Sequence, residues 1–208
     1  MKNNDIRHER TIHRVLKAKV KQYGNREFFR WNDQVFGFED FDRQSDKVAA
    51  GLQSLGIGKG DKVGIMMGNR PEFLFLWFGL SKLGAIEVPI NNAHRGDLLT
   101  YMVGTSDCRI LVTASQFLDR VTPVLGNLPT VEKVIVLGDT EDLPSKLDKP
   151  SMSYPELIEN DGSYEEAEVL WSDPFVIMFT SGTTGPSKGS LMPQSYALHM
   201  GEIMSEAC

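Results

Sequence analysis

The sequence predicts an α/β fold, a mainly parallel sheet with helices on both faces. Three observations carry that expectation. Between Lys62 and Leu137, short apolar runs alternate regularly with longer helix-patterned segments. Runs such as Val134–Leu137 and Val176–Phe179 are continuously apolar instead of alternating, as in strands buried on both faces. Glycine or proline stands at most of the junctions. Repeated β–α–β units of this kind imply parallel strands joined by crossover helices.

The elements follow in order. Thr11–Tyr23 places Ile12, Val15, Leu16, Val20 and Tyr23 at helical spacing, with a Lys/Arg-rich outer face. Glu27–Trp31 and Gln34–Phe38 are β-prone runs around Asn32-Asp33 and predict a hairpin. Asp40 is expected to cap a helix from Phe41 to Leu55, which Gly56 stops. Gly56–Asp61 is glycine-rich, but it follows a helix and precedes a strand. A dinucleotide fingerprint needs the reverse order, so this is a turn. Lys62–Met67 predicts a strand, and Pro71–Leu83 a helix with proline at its start and Gly84 beyond its end. Ala85–Ile90 reads as a strand, Gly96–Val103 as a helix and Arg109–Thr113 as a strand. A helix over Ser115–Leu125, bent or ended near Pro123, and a strand over Lys133–Leu137 follow. Gly138–Asp173 breaks the pattern: it is acidic, holds Pro144, Pro150 and Pro155, and predicts a long surface excursion with a short helix near Tyr154–Ile158. Gln194–Ala207 closes the chain as a helix.

Composition narrows the function. The chain has 208 residues, 41% hydrophobic and 24% charged, enough for one sizeable core. A net charge of −6 argues against binding nucleic acid by bulk charge. The charge is uneven. Residues 1–30 carry nine Lys/Arg against three Asp/Glu, and residues 139–173 carry two against eleven. The basic start suggests either a solvated helix face or peripheral contact with an anionic membrane. Met1–Arg10 lacks the apolar core of a signal peptide, and Phe73–Phe78 falls far short of the ~20 residues that span a bilayer. The two cysteines, Cys108 and Cys208, show no disulfide or zinc spacing, so a cytoplasmic setting is expected. The Phe73, Phe75, Trp77 and Phe78 cluster reads as helix packing. His199 and Glu202 are three apart, a possible ligand pair without further ligands, and read as surface residues. His94-Arg95 follows a strand end, where open α/β sheets often bind ligands.

The chemistry concentrates in Pro174–Gly189, PFVIMFTSGTTGPSKG. An apolar strand gives way at once to Thr180, Ser181, Thr183, Thr184 and Ser187, to Gly182, Gly185 and Gly189, and to Lys188. Glycines let backbone N–H groups approach an anion, while hydroxyls and one ammonium complete a cradle. This predicts a phosphate-binding loop. The triphosphatase P-loop pattern fails here at two positions, Ser187 and Gly189. Gly185-Pro186-Ser187-Lys188-Gly189 also matches the G-x-S-x-G hydrolase elbow. That elbow needs the serine directly after a strand, with an acid and a histidine later in the chain.

Thr180–Gly189, TSGTTGPSKG, resembles the signature of the adenylate-forming superfamily, which includes acyl-CoA synthetases. Pro186 and Ser187 stand in the reverse of the usual order. Gly56–Asn91 resembles the family's early Rossmann-like segment, and the likeness runs from about Tyr23 to the C-terminus. The resemblance implies the N-terminal, incomplete part of a large AMP-binding domain. Its expected parts are a lead-in over 1–60, β/α units over 61–138, an acidic excursion over 139–173, and a strand, phosphate loop and helix over 174–208. It implies activation of a small-molecule carboxylic acid, whether a small, fatty or aryl acid, by ATP with Mg²⁺, through an acyl-adenylate, and transfer to coenzyme A. By position, Thr180, Ser181, Gly182, Thr183, Thr184, Gly185 and Lys188 would contact phosphate, with Lys188 the catalytic point charge. The family's adenine, ribose and metal-glutamate sites have no counterpart in this chain, so it is expected to be inactive alone. The alternatives are a stand-alone nucleotide- or anion-binding module and a serine hydrolase.

Overall fold

A computed structural model describes residues 10–140, 147–180 and 187–207. A seven-stranded sheet forms its centre, with the strand order β7-β6-β5-β3-β4-β8-β9. The first six of these run parallel and the last, β9, is antiparallel to β8. The fold class is therefore the one the sequence predicts.

Helix α1 (Ile12–Tyr23) precedes a hairpin of β1 (Glu27–Trp31) and β2 (Gln34–Gly37). Asn32 takes the positive φ that its turn requires, which asparagine tolerates better than most residues. Helix α2 (Phe38–Ser54) begins three residues before the sequence suggests. Gly37 is its N-cap, and Asp40 lies within its first turn, where its carboxylate bonds the Asn25 amide. Strand β3 (Lys62–Met66) leads to α3 (Pro71–Leu83), whose predicted limits hold to the residue. Pro71 pre-sets the first turn, and Gly84 closes the last one in the left-handed region. Strand β4 (Ile86–Pro89), helix α4 (Gly96–Thr105) and strand β5 (Cys108–Ala114) follow. The single helix expected over 115–125 is instead a four-residue α5 (Leu118–Val121) between two 3₁₀ turns, Ser115–Phe117 and Thr122–Asn127. Pro123 removes a backbone donor there and prevents a continuous helix.

After β6 (Lys133–Leu137), the acidic stretch is more structured than its composition suggests. Ser151–Ser153 adds a parallel edge strand, β7, to β6. Ser153 and Glu156 form a reciprocal capping box at the start of α6 (Tyr154–Leu157). The chain then returns across α1 and α2 with Leu157 and Val169 fully buried. The Gln53 amide exchanges two hydrogen bonds with the Glu165 backbone, at 2.8 and 2.9 Å. The Glu166 carboxylate meets the His13 ring, Lys17 and Arg14, and His13 and Lys17 hold its pKa down at about 2. Part of the basic face of α1 is thus matched by the acidic segment, inside one molecule.

Strand β8 (Pro174–Thr180) and strand β9 (Lys188–Pro193) form a hairpin, and α7 (Gln194–Ala207) follows directly. Strand β9 lies where the sequence predicts a loop passing directly into a helix. The core runs continuously from Phe41, Val48 and Leu52 on α2 through Leu76 and Leu80 on α3 to the β3, β5 and β6 strands. An aromatic seam joins the hairpin to α3 through the Phe36–Phe75 ring pair at 5.6 Å, and α2 to α3 through Phe41–Phe75 at 5.4 Å. Phe75 is buried, as expected of helix packing.

Candidate functional site at the carboxyl edge of the sheet

Strands β3, β4, β5 and β8 are parallel, so their carboxyl ends share one edge. Chain order places β4 on one side of β3 and β5 on the other. The crevice between such strands is where open α/β sheets receive ligands. A cavity of about 630 Å³ opens there, between the Trp31–Gln34 hairpin tip, the Gly68–Glu72 loop after β3, and Ala114 and Gln116 after β5. In its wall the Arg70 guanidinium donates two bonds to Glu72, at 2.8 and 3.0 Å.

The glycine- and hydroxyl-rich motif leaves the same edge. Thr180 ends β8 and Lys188 opens β9, and the two are direct cross-strand partners. Both side chains are exposed. Ser181, Gly182, Thr183, Thr184 and Gly185 lie outside the described residues, between these two ends. A Cβ on Gly189 would come within 2.9 Å of Ile177, so this glycine is required by packing against β8. Ser187 sits between two strands. A nucleophile elbow needs a strand-to-helix turn, so the hydrolase match has no structural counterpart.

The far end of the hairpin is tied down firmly. Gln194 and Ser195 donate backbone bonds to the Asp173 and Trp171 carbonyls, both at 2.9 Å. The Ser81 hydroxyl donates to Gln194 Oε1 at 2.8 Å, so the 2.8 Å contact of His13 Nδ1 with Ser81 has the ring as donor. His13, Ser81 and Gln194 are wholly buried. Burial is the largest influence on His13 and lowers its pKa, keeping the ring neutral. Ser81→Ala leaves both buried partners unpaired. It is expected to destabilise the fold by about 2 kcal/mol, read as a lower urea midpoint at unchanged slope.

The remaining candidates separate from this edge or pair locally. His199 is exposed and lies 3.9 Å from Glu202, which also pairs with Arg10. This is a surface arrangement. The loop after β4 is held by Arg120, which bonds the Asn92 carbonyl and covers the Phe117 ring. Arg95 lies 4.0 Å from Asp119. Cys108 is fully buried, and burial pushes its thiol up to about 12. Among the described residues, no group of three or more His, Cys, Asp or Glu side chains is placed to hold a metal ion. No described helix is long and apolar enough to cross a membrane.

The AMP-binding enzyme family model matches residues 16–206. This chain belongs to the AMP-binding enzyme family. Among its relatives is an acyl-CoA ligase, sidI, of Aspergillus fumigatus, 30% identical over 195 residues. That match covers 88% of this chain and 33% of the relative. A crotonobetaine/carnitine–CoA ligase of Salmonella paratyphi A is 33% identical over 155 residues, covering 74% and 30%. Among solved structures, the anthranilate CoA ligase AuaEII in complex with anthranoyl-AMP superimposes with a TM-score of 0.85 at 25% identity. It covers 97% of this chain and 38% of that one. The AMP-binding chain described here thus spans about a third of the length of the curated relatives it matches.

Proposed function

We propose that this chain supplies the triphosphate-gripping part of an acid–thiol ligase that uses ATP to activate a carboxylic acid as its acyl-adenylate and then forms a coenzyme A thioester. The observation that carries this reading is the hairpin itself. Thr180 and Lys188 face each other across the last rung of a ladder at the carboxyl edge, and the family signature connects them. The phosphate contacts in this reading are Thr180, Ser181, Gly182, Thr183, Thr184, Gly185 and Lys188. A carboxylate is a poor electrophile, and adenylation gives it a good leaving group. The departing pyrophosphate gathers charge. Lys188 meets that charge with an ammonium, while Thr180 and the loop between offer hydroxyl and main-chain donors. Mg²⁺, which the family reading implies, has no carboxylate set among the described residues, so no step is assigned to it.

The parts of the chain divide, in this reading, into a lead-in over 1–60, β/α units over 61–138, an acidic excursion over 139–173, and the strand, phosphate loop and helix over 174–208. The substrates are a small-molecule carboxylic acid, ATP and coenzyme A, in a cytoplasmic setting. The identity of the acid rests with regions of the relatives' length that this chain does not span. Lys188→Ala, placed in a protein of the relatives' full length, is expected to slow adenylation roughly a hundredfold. Thioester formation from supplied acyl-adenylate should change by less than about tenfold. Measuring the half-reactions separately checks this, and equal losses in both would remove Lys188 from the role.

A further inference from the structure

Strand β9 ends the sheet, with β8 as its one neighbour among the described strands. Its residues, Lys-Gly-Ser-Leu-Met-Pro, include no buried side chain: the first four are exposed and the last two half-buried. A strand with one buried face fixes its own pairing, because a slip would carry apolar groups into water. Strand β9 has no such face. Near its start Gly189 fits closely against Ile177, and at its other end the alignment is left to the residue that follows it. That alignment sets Lys188 opposite Thr180 and Ser190 opposite Met178.

The following residue is Gln194, which is wholly buried. Its Oε1 accepts from Ser81 on α3 at 2.8 Å, and Ser81 accepts in turn from His13 on α1, also at 2.8 Å. Its Nε2 is buried with no hydrogen-bond partner. An unpaired buried donor costs stability that a methionine at this position would not, so stability alone does not account for the amide. The best-attested use of such a buried polar group is to specify register, since one alignment alone gives it a partner. The partner here is fixed, because Ser81 and His13 sit on two helices packed beside the sheet. Main-chain bonds from Gln194 and Ser195 to the Asp173 and Trp171 carbonyls hold the same junction, but any residue slipped into place could make them. A two-residue slip would keep the faces of β9 yet move Gln194 roughly 7 Å along the strand, away from Ser81. We infer that Gln194 is a positioning residue, the pin that sets the register of β9 on β8 and so holds Lys188 opposite Thr180. Its consequence for catalysis rests on the ligase reading, whereas the register does not.

Disulfide trapping in the whole chain, with Cys208→Ser to remove a competing thiol, tests this without nucleotide. Side chains directly opposite on paired strands lie within disulfide reach, and those two residues along do not. Met178→Cys with Ser190→Cys is expected to close readily, and Met178→Cys with Met192→Cys is not. Adding Gln194→Met is expected to lower the 178–190 yield at least about fivefold and to raise the 178–192 yield. Ser81→Ala, which removes the other half of the bond, should do the same. Gln194→Glu keeps an acceptor oxygen at the same reach and should retain the parental yield. Unchanged 178–190 trapping in Gln194→Met and Ser81→Ala would overturn the inference and leave Gln194 a stabilising residue only. Loss of that yield in Gln194→Glu with a native circular dichroism spectrum would also overturn it, even where Gln194→Met does not fold. In a protein of the relatives' full length, Gln194→Met should slow adenylation as well. A shifted crosslink with unchanged adenylation would keep the pin and count against Lys188 as a phosphate contact.

Discussion

Replacing Lys82 with alanine is expected to destabilise the fold by about 3–5 kcal/mol, more than any other single charge deletion in the chain. Lys82 is completely buried between α2 and α3. Its ammonium donates to Asp42 and Asp46 carboxylates at 2.6 Å each, to the Ser45 hydroxyl at 2.7 Å and to the Asp42 carbonyl at 3.1 Å. The charge is neutralised and every donor direction is used, which is the condition under which a buried ion group is tolerated. Removing the lysine strands two carboxylates whose side chains are only 16% and 29% exposed. The same network joins the two helices that cover the sheet beside Leu76 and Leu80, so its loss also loosens their packing. Urea unfolding of Lys82→Ala against the parent measures the effect. The triple change Lys82→Met, Asp42→Leu, Asp46→Leu should recover most of the loss, since a hydrophobic replacement leaves no orphaned charge. A single mutant within 1 kcal/mol of the parent would show that the carboxylates find water unaided.

The second large effect concerns Glu87, in the middle of β4 between β3 and β8. It is 1% exposed and its Oε1 has no hydrogen-bond partner. Burial alone pushes its carboxyl up to about 8. The folded protein therefore keeps a proton that the unfolded chain releases near its ordinary value of 4.5. With more protons bound in the native state, stability falls as pH rises through this window. The Glu87 contribution is intact below about 4.5 and is lost by about 8, a change of roughly 4 kcal/mol. His13 acts in the opposite sense, because its lowered pKa makes stability rise with pH just below 6.5. Comparing Glu87→Leu with the parent cancels the histidine. The mutant is expected to gain little at pH 5 and about 4 kcal/mol at pH 8.5, by urea unfolding at each pH. A difference that does not vary with pH would mean that the native carboxyl is already solvated or paired.

Sequence patterning located most of the frame because the decisive signals were local. Pro71 and Gly84 bracket α3, and continuous apolar runs mark β5 and β6, so nothing distant had to be known. Strand β9 escaped because Lys-Gly-Ser-Leu-Met-Pro lacks both a run and an alternation. It is a strand only because β8 supplies its partner. The three-residue β7 depends in the same way on β6. The opposite charges of the two ends of the chain were visible, but their meeting at Glu166 was not, since it joins residues 149 positions apart. For the candidate site, the residue types announced an anion cradle, while its support did not announce itself. Ser81 and Gln194 are separated by 113 positions, and nothing in either neighbourhood marks them as partners. The cavity beside Arg70 likewise arises only when the β1–β2 tip is brought over the end of β3.

Because β9, and not a helix, receives the chain after the signature, no helix begins directly at its end to turn a positive macrodipole end toward an anion held there. Proteins that seat an anion on a helix N-terminus obtain part of their attraction from aligned peptide groups, largely whatever the side chains. Here α7 starts six residues later, at the opposite end of β9. In the proposed role, the hairpin's own attraction for a polyanion then falls to Lys188, an exposed point charge subject to counter-ion screening. Nucleotide capture through this hairpin should weaken steeply with ionic strength, and acetylation of that one amine should mimic high salt.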